Sequence, residues 1–256
     1  IRDRYVDARC TLCGRCVEVC PVEAPDEYEA GLTTRKAIYL PSKWAYPQIY
    51  AIDEQTCTRC GRCVEVCEPK AINLEEKPEE FKVRVGAVIL AAGFEPYEPE
   101  EGEYGYKRSE RVITLLQLER LLDEDGPTGG ELRIGGVKPR SIAFVLCVGS
   151  LGTSPKAAPY CSRVCCSASL NTALKIKERY PDVDIYIVYK DMRTYGRLEE
   201  RLYERSSEGF FKFIRFDEPP EVRVKPDGLE VEVYDTLVQE RLLIPVDAVV
   251  LAVGMK

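Results

Sequence analysis

Uninterrupted apolar runs are the clearest pattern along this chain of 256 residues. Runs of this kind are typical of strands that are buried on both faces of a sheet. Four stretches have the pattern: VGAVILAAGFEP at 85–96, SIAFVLCVGS at 141–150, DVDIYIVYKD at 182–191 and VDAVVLAVGMK at 246–256. Amphipathic helices are predicted between them, near 111–124, 163–180 and 196–208.

The alternation of buried strands and amphipathic helices predicts an α/β fold with dinucleotide-binding domains of the Rossmann type. The pattern alone also admits a generic α/β domain that binds no nucleotide. The change from closely spaced cysteines to alternating strand and helix patterns divides the chain into three parts. They are a cysteine-rich module at 1–80, a segment at 81–135 and a second α/β domain at 136–256.

Charge and apolar-run length narrow the class of partner. A net charge of -7 argues against nucleic acid, because phosphate binding needs clustered Lys and Arg. The longest apolar runs are far shorter than the ~18 residues that a membrane span requires, and no signal peptide is recognisable at Ile1. We therefore expect a cytoplasmic protein without a membrane span, and, because Ile1 is not an initiator Met, a processed chain or a piece of a longer one.

The cysteines give the strongest chemical signal. The chain has 12 cysteines and no histidine, and eight of the cysteines fall in two copies of one motif, CTLCGRCVEVCP at 10–21 and CTRCGRCVEVCEP at 57–69. The spacing C-x2-C-x2-C-x3-C is the bacterial ligand pattern of 4Fe-4S clusters. Zinc ribbons or disulfides are the alternative, but Gly14 and Gly61 stand where a ligand loop needs a permissive residue.

The fourth cysteine of each motif is expected to cross to the other cluster, as it does in two-cluster ferredoxins. The predicted ligand sets are Cys10, Cys13, Cys16 and Cys67 for one cluster, and Cys57, Cys60, Cys63 and Cys20 for the other. Glu68 separates Cys67 from Pro69, which is a departure from the pattern. Residues 1–80 are thus predicted to form an α+β two-cluster ferredoxin module.

The remaining four cysteines, Cys147, Cys161, Cys165 and Cys166, are candidates for a third 4Fe-4S cluster. Cys147 ends a predicted strand and the other three open the next helix, so all four should meet at the strand-to-helix crevice where a doubly wound sheet holds its ligand. The helix N-terminus would stabilise anionic thiolates there. Buried structural cysteines, or a disulfide between the two adjacent cysteines, are the alternatives.

The ends of two predicted strands resemble a flavin-contacting motif of the thioredoxin reductase relatives. Ala92, Gly93 and Gly254 are the residues that match this Ala-x-Gly pattern and are our candidates for cofactor binding. A G-x-G-x-x-G sequence, which would receive the FAD pyrophosphate, occurs nowhere in the chain. An FAD site is therefore expected to be incomplete here, with its Gly loop supplied by a complementary chain or segment.

Several stretches together resemble one family, the iron-sulfur flavoprotein subunits of CoB-CoM heterodisulfide reductases. They include YVDARCTLCGRCVEVCP, EYGY, VITLLQLERLL, GPTGG, IAFVLCVGS, YCSRVCC and FIRFDEPPEV, and the similarity covers essentially the whole chain. In that family a ferredoxin module is inserted into a thioredoxin-reductase-like FAD domain, with further domains at both ends. The resemblance implies a partial FAD-domain segment at 81–135, a third cluster in place of a nucleotide within 136–256, and a chain that is a fragment or one half of a split subunit.

The resemblance also implies an electron-transfer role in methanogenesis. FAD and iron-sulfur clusters would pass electrons to partner subunits and to ferredoxin, and flavin-based electron bifurcation is one mode by which this can happen. The expected partners are other heterodisulfide reductase-type subunits, an electron-donor subunit of the hydrogenase or formate dehydrogenase type, and ferredoxin. Cleavage of the disulfide belongs to another subunit in that family, so no catalytic residue is assigned in this chain.

Two other functions are open. One is an NAD(P)H-dependent iron-sulfur flavoprotein oxidoreductase that resembles the glutamate synthase small subunit, although its glycine loops are absent from the chain. The other is a structural scaffold with inert clusters. Assays of NADPH oxidation and ferredoxin reduction would separate these functions from the first.

Overall fold

The computed structural model describes residues 5–78, 80–154, 156–209 and 211–256. The chain forms two compact units, Ile1–Ala91 and Ala92–Lys256. The three-part division predicted from the sequence differs from this arrangement, because the strand at Val112–Thr114 pairs with the strand at Ala248–Val253. Residues 92–135 therefore belong to the same unit as residues 136–256.

The first unit is built from very short elements, as expected of a chain that wraps ligand loops. Its helices and strands are α1 (Arg15–Glu18), β1 (Glu23–Pro25), β2 (Thr34–Lys36), β3 (Ile38–Tyr39), β4 (Ala51–Ile52) and α2 (Arg62–Glu65), with a 3-10 turn at Glu27–Glu29. β1 pairs with β2 and β3 with β4, both antiparallel. Cysteines pack together with Val6, Ile38, Ile52 and Ile72 in its core.

The second unit is a mixed α/β domain. Its elements are β5 (Val112–Thr114), α3 (Leu115–Leu122), β6 (Ser141–Val148), α4 (Cys165–Arg179), β7 (Asp184–Tyr189), α5 (Glu199–Glu208), β8 (Lys212–Arg215), β9 (Glu221–Lys225), β10 (Gly228–Asp235), β11 (Glu240–Val246) and β12 (Ala248–Val253), with a 3-10 turn at Glu103–Gly105. Five strands form a parallel sheet in the order β5-β12-β6-β7-β8. Three others form an antiparallel sheet in the order β11-β10-β9.

The apolar runs explain the centre of this sheet. β12 and β6 are neighbours, and nearly every residue of both is buried, because each strand is covered on both faces. A capping box starts α3: the Thr114 hydroxyl accepts the Gln117 amide, and the Gln117 side chain accepts the Thr114 amide. The strands predicted near 141–150, 182–191 and 246–256 and the three predicted helices are confirmed, as is a mixed α/β fold with a parallel sheet.

The strand predicted at 85–96 is wrong. Residues 85–95 form no strand, and only Pro96 makes an isolated bridge, with Met255. The apolar side chains of the run are exposed; Ile89, for example, is 91% exposed. No strand among the described residues lies beside the run, so neither of its faces is covered, and apolar composition alone does not produce a strand there.

Candidate metal centres

Four thiols from both motifs line one cavity of the first unit. Cys10, Cys13 and Cys16 come from the first motif and Cys67 comes from the end of the second. Together they line a small cavity that we name the first cavity. Gly14, between the second and third cysteines, has a φ of 81°. A side chain is strained at this φ, which explains the glycine at that position.

A second small cavity has the complementary set of thiols. Cys57, Cys60 and Cys63 of the second motif line it with Cys20 of the first, and we name it the second cavity. Gly61 repeats the left-handed conformation, with a φ of 78°. The structure thus brings together both sets of four cysteines that the sequence predicts.

The two ligand loops share a further detail of backbone geometry. The residue two positions after the first cysteine is left-handed in both, with a φ of 56° at Leu12 and 53° at Arg59. In the second loop this turn aims the Arg59 amide at Cys57 Sγ, over 3.4 Å. Similarly, the Ala71 amide donates to Cys67 Sγ over 3.3 Å. Amide donors of this kind stabilise thiolates and the clusters that thiolates hold.

Burial of the third cysteine of each motif disfavours its thiolate. Desolvation raises the pKa of Cys16 to about 11 and raises the pKa of Cys63 above its usual value. Positively charged iron must therefore displace these thiol protons when it binds. The described cysteines are all free thiols, and no three His, Cys, Asp or Glu side chains among the described residues converge closely enough to hold one metal ion.

The other four cysteines meet at one end of the parallel sheet. Cys147 lies at the end of β6, Cys161 lies in the following loop, and Cys165 and Cys166 are the first two residues of α4. Desolvation, together with neighbouring thiols of the same group, raises the pKa of Cys147 to about 11 and that of Cys165 to about 12. These mutual effects mean that the four thiols lie near one another, in what we name the crevice.

Contacts across the crevice come from the carboxyl ends of both strands beside β6. The Cys165 thiol donates to the Val253 carbonyl over 3.6 Å, and the Cys166 thiol donates to the Asp191 carbonyl over 3.7 Å. The Arg193 amide donates to Cys166 Sγ over 3.5 Å. The adjacent cysteines therefore contact different strand ends, which is the position where doubly wound sheets hold ligands.

Two backbone features orient the crevice thiols. Cys147 has a φ of 66°, and the pairing of β6 with β12 shifts register beside it, so the chain bulges there. Bulges and left-handed residues redirect side chains and are concentrated at functional sites. Arg163, two positions after Cys161, is also left-handed with a φ of 62°, and its amide donates to Cys161 Sγ over 3.3 Å. This turn has the same conformation as the turn after Cys57 in the second ligand loop.

The three candidates for flavin contact have different surroundings. Ala92 and Gly93 lie in an exposed loop, and Gly93 has a φ of 75° with open space at its Cβ position. Gly254 is buried, and a Cβ there would lie 2.1 Å from Ser150 Oγ and 2.8 Å from Ser162 Oγ. Close packing thus explains the glycine at Gly254 without a cofactor.

Sequence reasoning did not identify three polar residues of these sites. Ser150 and Ser162 hydroxyls lie 2.7 Å apart behind the crevice, and Ser162 also accepts the Met255 amide over 2.9 Å. The serine at position 162 stands inside YCSRVCC, which was a local signal. Tyr50 lines the first cavity but is distant from the motif in sequence, so no local pattern indicates it.

Residues 9–72 match a sequence family described as 4Fe-4S dicluster domain. The whole chain is similar to longer proteins. It is 44% identical, over 99% of its length, to iron-sulfur subunits of the CoB-CoM heterodisulfide reductases of Methanopyrus kandleri and of Methanocaldococcus jannaschii. The chain is a homologue of this iron-sulfur subunit. It spans about 40% of the length of these curated relatives, covering 40% and 39% of them respectively.

A third relative carries a fuller name. The chain is 43% identical over its whole length to a subunit of the "H(2)/formate:CoB-CoM heterodisulfide,ferredoxin reductase" of Methanococcus maripaludis and covers 40% of it. Among solved structures, the L-lysine 6-monooxygenase of Pseudomonas syringae is similar over 65% of this chain and 45% of its own, with 12% identity and a TM-score of 0.40, too low to support a conclusion. Among the described residues of the present chain, no helix has the length and apolar character needed to cross a bilayer.

Proposed function

We propose that this chain is an electron-transfer segment of a heterodisulfide reductase-type complex. It is an oxidoreductase component that holds three 4Fe-4S clusters and contributes part of an FAD site. The observation that carries the proposal is that the fourth cysteine of each motif lines the cavity of the other motif, so that each of the two cavities has four thiols. Homology to the iron-sulfur subunits of such reductases over 99% of the chain supports the complex to which it belongs.

The first unit acts as a two-cluster ferredoxin module. Cys10, Cys13, Cys16 and Cys67 hold one cluster, and Cys57, Cys60, Cys63 and Cys20 hold the other. When bound, the clusters supply one-electron carriers, and FAD supplies the exchange between two-electron and one-electron steps. The chain's own contribution is to keep the two ligand sets side by side, because the crossed cysteines tie each cavity to both motifs.

The crevice holds the third cluster through Cys147, Cys161, Cys165 and Cys166. Three observations support this set. The four thiols share one electrostatic environment. The turn after Cys161 has the backbone conformation and the amide-to-sulfur hydrogen bond of the turn after Cys57. The site also lies at the strand ends where a dinucleotide-binding domain, here of the thioredoxin-reductase-like type, would hold its nucleotide.

The flavin is held only in part by this chain. Ala92 and Gly93 are the proposed contacts, since Gly93 is left-handed and has free space at its Cβ position. Gly254 remains near this loop through the hydrogen bond from the Tyr97 amide to the Gly254 carbonyl, 2.8 Å, but acts by packing. A complementary segment supplies the pyrophosphate-binding Gly loop, because no G-x-G-x-x-G is present.

The proposed partners follow from the names of the relatives. They are the other subunits of a heterodisulfide reductase-type complex, an electron-donor subunit of the hydrogenase or formate dehydrogenase type, and ferredoxin. The proposed location is the cytoplasm. Partners of the nucleic-acid class remain disfavoured by the net charge of -7.

Anaerobic reconstitution of the chain with iron and sulfide tests the proposal. We expect about twelve iron atoms per chain, and EPR signals of reduced 4Fe-4S clusters in which two clusters interact magnetically. The reduced chain should pass electrons to ferredoxin and should not oxidise NADPH. Zinc in place of iron, or NADPH oxidation in the absence of other subunits, would contradict the proposal; the latter would favour the glutamate synthase-like alternative.

A further inference from the structure

The first and second cavities have nearly equivalent walls, as the repeated motif leads us to expect. Both are lined by a threonine that follows the first cysteine of the motif and by apolar residues from a short strand pair or bridge. The matching positions are Thr11 and Thr58, Ala71 and Ala37, Ile72 and Ile38, and Val6 and Ile52. Two clusters in such surroundings would have similar reduction potentials.

Tyr50 breaks this equivalence. It lines the first cavity, whereas the described lining of the second cavity contains no tyrosine and has Leu74 as its additional large side chain. The Tyr50 hydroxyl oxygen lies 3.7 Å from the position that a Cβ on Gly14 would occupy, beside the loop that carries the ligand Cys13. No described residue forms a hydrogen bond with this hydroxyl, so its proton is free to be directed at the cavity.

We infer that Tyr50 raises the reduction potential of the cluster in the first cavity above that of the cluster in the second. The inference rests on the proposed function, since it assumes a cluster in each cavity. Uptake of one electron adds one negative charge to a cluster and breaks no bond. A hydroxyl dipole that points at cluster or cysteine sulfur stabilises this added charge, and hydrogen bonds to sulfur are among the factors that set the potential.

The arginines near the two cavities do not cancel the difference in reduction potential between the clusters. Arg15 and Arg62 occupy equivalent positions of the repeat, but Arg15 lines the first cavity and Arg62 is not part of the described lining of the second. The Arg15 side chain is 54% exposed and is paired with the exposed Glu68, so solvent and the carboxylate screen its charge. Arg59 lies in the second loop alone and would favour an electron on the second cluster. Its side chain is 51% exposed and forms an ion pair with Glu54 at 3.5 Å, so solvent and the carboxylate screen its charge. Tyr50 is half-buried and lines the cavity, so its hydroxyl has the larger effect on the reduction potential.

The consequence is a direction for electron flow inside the module. An electron that enters at the second cavity moves to the first, where the added charge is better stabilised. The repeat in sequence thus produces two clusters with the same ligands and different roles. Replacing only the hydroxyl of Tyr50 should make the two clusters nearly equal in potential.

EPR-monitored redox titration of the whole reconstituted chain tests this inference. In Tyr50→Phe, we expect the ratio of reduced to oxidised first cluster at a fixed solution potential to fall about tenfold, which is about 59 mV for a one-electron couple. The second cluster should not change. Cys13→Ala and Cys60→Ala assign the two signals, because each removes a ligand from one cavity. Tyr28→Phe is the matched control, since Tyr28 is exposed and lines neither cavity.

The outcomes separate cleanly. An unchanged first cluster in Tyr50→Phe, an equal shift of both clusters, or equal potentials in the wild-type chain would overturn the inference. If Tyr50→Phe assembles poorly, Tyr50→Leu, which imitates the leucine of the second cavity, should give the same fall in potential. A wild-type chain whose module holds no pair of 4Fe-4S clusters would instead refute the proposed function, and iron analysis recognises that case before any titration.

Discussion

Replacement of Cys67 by alanine should destroy the cluster whose other ligands are 51 to 57 residues away in sequence. Cys67 lines the first cavity with Cys10, Cys13 and Cys16, and it does not line the second. Alanine has no sulfur to bind iron, so the first cavity keeps three ligands of four. The expected loss is one cluster, about four of the roughly eight iron atoms of the module.

Iron analysis of double variants shows which cluster is lost. Cys13 and Cys60 are suitable second sites because they are equivalent in the repeat, both exposed, and line different cavities. Combining Cys67→Ala with Cys13→Ala should lose no more iron than either single change, because both affect one cluster. Combining Cys67→Ala with Cys60→Ala should lose about eight iron atoms, because it affects both.

The opposite additivity would refute the crossed arrangement. If Cys67→Ala and Cys60→Ala together lost about four iron atoms, and Cys67→Ala with Cys13→Ala lost about eight, Cys67 would belong to its own motif. A damaged site that retains a three-iron cluster is detected by its EPR signal in the oxidised protein and counts as perturbed. The single variants at Cys13 and Cys60 are the controls for the iron content of each cavity.

Three further outcomes follow from the second unit. Changing Cys165 and Cys166 together to Ser should lower the iron content from about twelve to about eight per chain, and an unchanged content of about eight in both proteins would make the pair structural. Gly254→Ala should lower the free energy of unfolding in denaturant by about 1–3 kcal/mol, because the new Cβ would lie 2.1 Å from a serine oxygen. Gly228→Ala is the control and should not lower it in this way, because its Cβ would lie 3.6 Å from the nearest neighbouring atom. Burial raises the pKa of Tyr104 to about 12, so the folded protein favours the neutral phenol. The contribution of this residue to the free energy of unfolding should therefore be full below about pH 10 and should be lost as the pH rises to about 12. Tyr104→Phe should reduce this loss of stability when unfolding is measured against pH.

The ligand loops could be predicted because their geometry is local. A loop of seven residues with a left-handed glycine aims three thiols at one cavity without help from the rest of the chain, and Gly14 and Gly61 have the φ values that this requires. The central strands were equally predictable, because runs such as β6 and β12 are apolar along their whole length and can be covered only inside a sheet.

The structures of the stretch at 85–96 and of Gly254 could not be predicted from the local sequence. VGAVILAAGFEP and VDAVVLAVGMK are similar as sequences, yet Val250 is buried and Ile89 is exposed. The difference lies in the neighbours, since β12 has β5 and β6 on its two sides. Gly254 was likewise chosen as a flavin contact from its Ala-x-Gly context, but two serines that are distant in sequence explain its lack of a side chain.

The crevice could be predicted from the sequence only in part. The direction of one of its four thiols depends on tertiary structure, and the direction of another is set by the local chain. Cys161 is set by a local turn, in which Arg163 repeats the left-handed conformation of Arg59 and donates its amide to sulfur. Cys147 is set by a bulge that exists only because β6 pairs with β12 over an unequal number of residues. A spacing rule can therefore be written for the first kind of ligand and not for the second. The left-handed turn two residues after a cysteine is the feature that connects YCSRVCC to the two ferredoxin loops, even though the overall spacing of the four cysteines is unlike theirs. Arginine stands at this position after Cys161 and after Cys57, and Leu12 stands there after Cys10.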